Sequence, residues 1–291
     1  MLKDTKANKI FLIILVILLA LSFSLFKGWE RRGITQRGEQ IIAFNEGDSL
    51  SVSTISNDII ISVDEQAKEA TISLGSHDDE ELEVSKHGSS LSVTVRPIKR
   101  WFLRFFSYTA SPLVVTLPSG NLARLEVSST SGDITLMHPM QATDLKIRGV
   151  SSEVDFLTLQ VADQLEIGTT SGDISGKEVS SRGEVTISST SGGVEIQRIT
   201  GPKTILRSVS SEVEAGIILS TGNTIEAKTT SGEIELDLRS SKDIEITATT
   251  VSGSIEFNDQ KQEGSEATIK MGDGSNTIQL ASVSGAIDVL Y

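Results

Sequence analysis

Thr170-Ser171-Gly172-Asp173-Ile174 is one copy of a pattern that returns along the chain at a nearly constant interval. Each copy has a Ser, then a small residue, often an acid, and then Ile or Val. The repeat Ser falls at Ser131, Ser151, Ser171, Ser191, Ser210, Ser231, Ser252 and Ser284, and an earlier copy contains Ser56. Between the eight Ser residues, six intervals are 19 to 21 residues long and the last is 32. This regularity predicts a stack of similar units.

Apolar residues alternate with polar ones on both sides of the repeat Ser. Those six and four residues before it include Leu125 and Val127, and those three and five residues after it include Ile134 and Leu136. Alternation with period two is typical of a strand with one buried face. Each repeat is therefore predicted to hold two short strands, with a bend between them whose glycines supply conformational freedom. The eight Ser residues are predicted to form a ladder that satisfies backbone groups at this bend.

A unit this small can bury its apolar face only by stacking on its neighbours. The predicted fold is all-β, a parallel β-solenoid (β-helix) of about 20-residue rungs, preceded by one N-terminal transmembrane helix. Roughly twelve rungs would span about 60 Å. Strand-like runs also occur at Ala70–Leu74, Leu82–Lys86, Leu91–Arg96 and Leu113–Leu117, and the long last interval predicts an insertion around Asp259–Gly264.

The inward columns can be named in advance. Leu125, Leu145, Leu165 and Val185 should stack in one column, and Ile134, Val154, Ile174 and Val194 in another. The predicted organisation is a cytoplasmic segment at 1–9, a transmembrane signal-anchor at 10–26, a juxtamembrane linker at 27–43, irregular first rungs at 44–120 and regular repeats at 121–291.

The N-terminal segment predicts a location. Ile10 to Phe26 is an apolar run, softened only by Ser22 and Ser24, and three lysines precede it. Its length is at the short end for spanning a bilayer, and no small-x-small cleavage site follows it. We therefore expect an uncleaved signal-anchor in the cytoplasmic membrane, with the C-terminal domain outside the cytoplasm, in the periplasm or at the cell surface. The alternative is a buried core helix.

Charge and composition exclude several classes of function. The chain carries −13 and residues 1–37 carry +5, which leaves −18 on residues 38–291. Nucleic acid is therefore excluded as a partner, because phosphate binding needs a basic surface. There is no cysteine, which excludes disulfides, thiol catalysis and zinc–thiolate sites.

Carboxylates recur on the outward side of the second strand. Two residues after the Ser stand Asp133, Glu153, Asp173, Glu212 and Glu233, and four residues after it stand Asp155, Glu195, Glu214, Glu235, Glu256 and Asp288. Stacked carboxylates repel one another, and a divalent cation could relieve that repulsion. The other interpretation is a solvated face that keeps the protein soluble, because the Gly-rich nonapeptide of calcium-binding β-rolls is absent.

A basic and aromatic segment interrupts this acidic domain at residues 96–108. Its candidate contact residues for a membrane or a protein partner are Arg100, Trp101, Phe102, Arg104, Phe105, Phe106 and Tyr108. The alternative is a hairpin that covers the apolar end of the solenoid, because solenoid ends must be capped.

The repeats resemble the bacterial putative-adhesin family, a domain of unknown function related to autotransporter-adhesin head domains. Thr130-Ser131-Gly132-Asp133-Ile134, Thr170-Ser171-Gly172-Asp173-Ile174 and Thr230-Ser231-Gly232-Glu233-Ile234 carry the resemblance, together with the stretch from Leu113 to Gly120. It covers roughly residues 44–291. It implies a β-solenoid, an envelope setting and no established catalytic residues.

The expected function is non-catalytic binding or scaffolding. His77, His87 and His138 have no metal-ligand spacing, and no nucleophile elbow or phosphate loop is present. We therefore predict no cofactor and no metal, and a membrane-anchored, adhesin-like or scaffold module of the cell envelope. Its partners would be the membrane, through residues 10–26, and an envelope protein or surface ligand. The alternative is an envelope-stress sensing or regulatory component that works through a membrane partner; a polysaccharide-active enzyme is a third class.

Overall fold

The computed structural model describes residues 39–75, 80–97, 110–238 and 243–291, and those residues form strands and no helix. They belong to one compact unit, Gly38–Tyr291. The strands are β1 (Glu39–Ala43), β2 (Ser49–Thr54), β3 (Ile59–Val63), β4 (Glu69–Leu74), β5 (Glu80–His87), β6 (Ser90–Pro97), β7 (Leu113–Leu117), β8 (Asn121–Ser129), β9 (Ile134–Leu136), β10 (Met140–Gly149), β11 (Val154–Thr169), β12 (Ile174–Ser181), β13 (Glu184–Ser189), β14 (Val194–Thr200), β15 (Lys203–Ser208), β16 (Val213–Ile218), β17 (Thr224–Lys228), β18 (Ile234–Asp237), β19 (Ile244–Thr250), β20 (Ile255–Phe257), β21 (Gln260–Lys261), β22 (Glu266–Met271), β23 (Asn276–Ser282) and β24 (Ile287–Leu290).

The strands form a stack of parallel two-strand layers. In nine layers the strand before the repeat Ser lies on one side, which we call face A, and the strand after it lies on the other side, face B. In the tenth layer β6 lies on face A and β7 on face B. The order on face A is β6, β2, β8, β10, the second half of β11, β13, β15, β17, β23 and β19. The order on face B is β7, β3, β9, the first half of β11, β12, β14, β16, β18, β24 and β20. The prediction of an all-β, mostly parallel fold is therefore confirmed.

The predicted inward columns are also confirmed. Leu125 pairs with Leu145 and Ile134 with Val154, and both columns continue through their neighbours with almost no exposed surface. A third buried column was not predicted. Its members stand seven to nine residues after the repeat Ser: Met140, Leu159, Val179, Ile199 and Ile217. These three columns, together with those that contain Val127 and Leu136, fill the interior of the stack with apolar side chains.

The layers at both ends of the stack are not in sequence order. β2 and β3 lie between the β6–β7 layer and the β8–β9 layer. At the other end, β23 and β24 lie between the β17–β18 layer and the β19–β20 layer. Antiparallel strands then close each end: β5 pairs with β6, β4 with β7 and β1 with β4, while β22 pairs with β19 and β21 with β20.

These caps correct the predicted number of rungs. The described residues form ten parallel layers rather than the predicted twelve. The difference arises because the cap strands pair antiparallel and add no layer. The insertion predicted around Asp259–Gly264 is the start of the β21–β22 cap, entered through Asn258 and Asp259 at positive φ. The four predicted strand-like runs are β4 to β7. The segment 44–120, predicted to be irregular, contains two regular layers, β2–β3 and β6–β7. β1 begins at Glu39, inside the predicted linker 27–43.

The bend glycines have a different role from the one expected. None of Gly132, Gly172 and Gly232 has a positive φ, so conformational freedom is not what they supply. An added Cβ at Gly172 would instead overlap the Ser152 carbonyl of the neighbouring layer. Glycine at the bend therefore allows two backbones to pack in contact.

Candidate functional site

The repeat Ser residues form a ladder through their backbones rather than their hydroxyls. Ser151 donates its N–H to the carbonyl of Thr130 (2.8 Å), and Ser171 donates to that of Val150 (2.8 Å). All eight predicted side chains are exposed: Ser131, Ser151, Ser171, Ser191, Ser210, Ser231, Ser252 and Ser284. They are therefore available to a ligand but do not hold the bend together.

Buried hydroxyls at the bend come two residues earlier than the repeat Ser. The Thr169 hydroxyl donates to the Gly172 carbonyl (2.6 Å) and lies 3.0 Å from the Ser189 hydroxyl of the next layer. Ser189 in turn accepts the N–H of Gly192 (2.9 Å). Because these groups are buried, each bond removes the cost of an unsatisfied polar atom. A buried structural hydroxyl therefore stands two residues before the exposed repeat Ser.

Some of the predicted acidic residues serve the backbone. The carboxylate of Asp133 accepts the N–H of Glu153 (2.9 Å), and that of Asp173 accepts the N–H of Gly193 (2.8 Å). Asp58 accepts from Asp133 in the same way (3.0 Å). A short aspartate two residues after the Ser therefore links one layer to the next.

The outward carboxylates four residues after the Ser form a continuous column on face B. In spatial order, five consecutive layers carry Glu195, Glu214, Glu235, Asp288 and Glu256. Burial, and then the nearby Glu256 and Glu235, raise the pKa of Asp288. One of the carboxylate oxygens of Asp288 is buried without a hydrogen-bond partner among the described residues.

Neighbouring glutamates extend this column sideways. Burial, and then Glu212, raise the pKa of Glu233. Glu212, Glu214 and Glu235 each bring an oxygen within 4.8 Å of the other two. Carboxylate oxygens at this spacing suit hard divalent cations, but surface carboxylates are also stable in water alone. Glu212, Glu214 and Glu235 therefore have the spacing that the cation interpretation requires, and all three are exposed to water.

Face A also carries carboxylates, but lysine and arginine side chains neutralise them. Glu166 accepts from Lys146 (2.6 Å) and Arg148 (3.1 Å), and Glu226 accepts from Lys228 (2.8 Å) and Arg207 (3.1 Å). The hydrogen bond from Lys228 leads the causes that lower the pKa of Glu226. Within the described residues, Glu195, Glu235, Glu256 and Asp288 on face B form no such ion pair. The two faces therefore differ in charge.

A shallow concavity lies where face A meets the bend. It measures about 420 Å³, opens to solvent, and is lined by hydroxyls and by the ion pair of Arg148 and Glu166. Gly149 and Gly168 contribute backbone to its lining. The arrangement offers hydrogen bonds to a polar ligand but lacks an aromatic platform.

Two predicted elements lie outside the described residues. They are the apolar segment 10–26 and the candidate contact residues Arg100, Trp101, Phe102, Arg104, Phe105, Phe106 and Tyr108. In the ranges that are described, no helix is both long and apolar enough to span a membrane.

Comparison with known proteins places the chain in a family. Residues 35–290 match Toastrack DUF4097, so the chain belongs to this family, and the resemblance inferred from the repeats is confirmed. The chain matches no curated protein.

Several solved bacterial proteins are similar in structure. A putative adhesin from Bacteroides fragilis is 12% identical with a TM-score of 0.48, and the match covers 86% of this chain and 95% of that one. A putative adhesin from Parabacteroides merdae is 11% identical with a TM-score of 0.43, covering 88% and 97%. A putative lipid binding protein from Parabacteroides distasonis is 14% identical with a TM-score of 0.37, covering 87% and 97%.

Proposed function

We propose that this protein is a non-catalytic, membrane-anchored binding or scaffold module of the cell envelope. The observation that carries the proposal is the closed, filled stack. Columns of apolar side chains occupy the interior, and antiparallel strands cover both ends. Enzyme clefts and small-molecule sites are usually concave and largely enclosed. Here the surfaces offered to a ligand are the outer faces and the corner between them.

Binding at an outer face can be tested with residues 38–291, which form a compact unit with its own core. The probes are purified peptidoglycan and vesicles of anionic lipid. We expect saturable co-sedimentation with one of them and no change in the chemical composition of either probe. Release of hydrolysis products would show an enzyme, and absence of saturable binding to both would contradict a direct envelope-binding role.

A matched pair of variants locates the binding face. Glu195→Gln, Glu235→Gln and Glu256→Gln together remove charge from face B, and Glu126→Gln, Glu166→Gln and Glu226→Gln together do so on face A. Each set removes three carboxylates. If face B binds, only the first set changes the affinity.

The location rests on the apolar run at 10–26 and the lysines before it. Protease added to intact cells, or to spheroplasts where an outer membrane is present, should digest residues after about 40 and leave the anchor in the membrane. Protection of the whole domain would place it in the cytoplasm.

The basic and aromatic segment at 96–108 favours a second role, sensing or regulation through a membrane partner. The test replaces Trp101 and Phe105 by Ser and measures both thermal stability and binding to anionic vesicles. Lost binding at unchanged melting temperature would support a contact segment. A large fall in melting temperature, with no binding to lose, would indicate a cap.

A further inference from the structure

An exposed ridge of β-branched residues runs along the corner between faces A and B. It consists of the residue just before each repeat Ser. In five layers this residue is apolar: Ile55, Val150, Val209, Val283 and Val251, which are 47%, 48%, 45%, 47% and 75% exposed. In four layers it is threonine: Thr130, Thr170, Thr190 and Thr230, all exposed. No layer of the ridge has a charged residue at this position.

The fold fixes the ridge but does not explain its chemistry. Backbone bonds such as Ser191 N–H to the Thr170 carbonyl (2.9 Å) and Ser231 N–H to the Val209 carbonyl (2.8 Å) hold adjacent ridge residues one above the other. These side chains point to solvent, where a lysine or aspartate would serve equally well. Five of the eight large apolar residues that are exposed in the described part of the chain belong to this one column. A concentrated apolar strip of this kind is typical of an interaction surface.

Basic residues on one side of the ridge occur in the same layers as glutamates on the other side. Three layers have a base three residues before the Ser, on face A, and each of these has a Glu two residues after it, on face B. The pairs are Arg148 with Glu153, Arg207 with Glu212, and Lys228 with Glu233. The other six ridge layers have no base at that position. Where the face B position is Asp58, Asp133 or Asp173, the carboxylate accepts a backbone N–H instead.

We propose that the ridge is the interface through which two copies of this chain associate in parallel, about a two-fold axis that runs along the stack. A rotation about this axis brings face A of one copy beside face B of the other, at the same layer. Arg207 then meets Glu212 of the second copy, and Lys228 meets its Glu233. Both bases keep their contact with Glu226 of their own copy. An antiparallel pair would instead set face B against face B and bring the glutamates together.

The area of the contact makes these charges necessary. Nine layers at about 4.8 Å give a ridge roughly 40 Å long. A strip about 10 Å wide buries only ~400 Å² per copy, half of what each partner contributes in a standard interface. The long flanking side chains supply the remaining contact, and complementary charges fix the direction of the pair. The apolar residues alone would allow either direction.

Because the chain contains no cysteine, single cysteines can report which residues meet across the axis. The variants are Val150→Cys, Thr190→Cys and Val209→Cys in the full-length protein, oxidised in its membrane and separated by non-reducing electrophoresis. Leu157→Cys is the matched control, because Leu157 is 46% exposed and lies outside the ridge. A disulfide needs the two Cα atoms within about 7 Å. In the parallel pair every ridge variant forms a dimer, and the control does not.

An antiparallel pair would give a different pattern of cross-links. Thr190 lies in the fifth of nine ridge layers, so an antiparallel pair would cross-link Thr190→Cys alone. It would also join Val150→Cys to Thr230→Cys in a mixture of the two variants. The proposal is wrong if this antiparallel pattern is found. It is also wrong if the ridge variants cross-link no more than the Leu157→Cys control.

A charge exchange tests the flanks independently. Lys228→Glu should weaken cross-linking of Val209→Cys by roughly tenfold, since the symmetric contact counts each exposed pair twice. Adding Glu233→Lys should restore it, because the exchanged charges meet again across the axis. Failure of the second change to restore the yield, with both variants folded, would also contradict the parallel pair.

Discussion

Gly192 and Gly193 are adjacent in one bend but have different surroundings. An added Cβ at Gly192 would overlap the Gly172 carbonyl of the next layer, whereas at Gly193 the nearest atoms would be 3.8 Å away. We expect Gly192→Ala to lower the free energy of unfolding by about 1–3 kcal/mol, as forced overpacking does. Gly193→Ala should raise it by up to about 1 kcal/mol, because it restricts only the unfolded chain.

Chemical denaturation of the two variants measures the difference. Each loses a glycine at neighbouring positions, and neither native glycine has a positive φ, so the two differ in the space around the added methyl group. Equal effects would mean that the layers shift apart freely at the bend.

Phe156 and Gly176 are a second pair of residues that compete for the same space. They are direct partners in adjacent layers, and the Phe156 ring occupies the room that a side chain at position 176 would need. Phe156→Ala should cost about 3–5 kcal/mol. Gly176→Val should also destabilise the native protein, but in the Phe156→Ala background it should recover part of the loss.

A double-mutant cycle of unfolding free energies tests this pair. We expect a coupling of about 0.5–3 kcal/mol, as found for residues in contact. Additive effects would show that the two positions do not share one space.

At the scale of elements, β23 is close to the C-terminus in sequence but internal in the sheet. It lies between β17 and β19, with parallel partners on both sides, while β22 has a partner on one side only among the described strands. Amide exchange in β23 should therefore be within about tenfold of that in β15, and β22 should exchange faster. Hydrogen exchange read by mass spectrometry tests this order; protection that falls steadily toward the C-terminus would contradict it.

The inward columns could be predicted from sequence because the period of alternation fixes which residues share a face. Leu125 and Leu145 stand one repeat apart, so their stacking followed from the interval alone. The third column was missed because Met140, Leu159 and Ile217 stand at different distances from the repeat Ser. The end order could not be predicted, because all layers present the same columns, and β18 offers the same edge to β20 as to β24. The hydrogen bond that Asp133 accepts from the Glu153 N–H could not be predicted either, because it depends on the distance between layers.

For the whole molecule, the difference between the faces matters more than net charge. Net charge excluded nucleic acid as a predicted partner, yet it did not show that face A pairs its acids while face B stacks them. Each ion pair on face A is at least partly exposed and contributes little by itself. The column on face B is destabilising, since like charges directly opposite each other in a sheet repel. The two faces should therefore respond to acid in opposite ways.

Asp288→Asn and Glu226→Gln test this opposition. The raised pKa of Asp288 means that the native state holds this proton at a higher pH than the unfolded chain, so stability falls as pH rises through the interval above its usual value of 3.8. Asp288→Asn should therefore stabilise the protein at neutral pH by roughly 0.5–1 kcal/mol. The gain should shrink as the pH is lowered toward about 4.

Glu226 has the reverse sign. Its lowered pKa contributes stability that is present above the usual value of 4.5 and is lost as the pH falls through the lower native value. Glu226→Gln should therefore cost roughly 0.5 kcal/mol at neutral pH and progressively less in acid. Urea denaturation of both variants at neutral pH and at about pH 4 measures the two slopes. A loss of stability in Asp288→Asn at neutral pH would show that its charge is compensated on face B, and that the two faces do not differ in the way the carboxylate column implies.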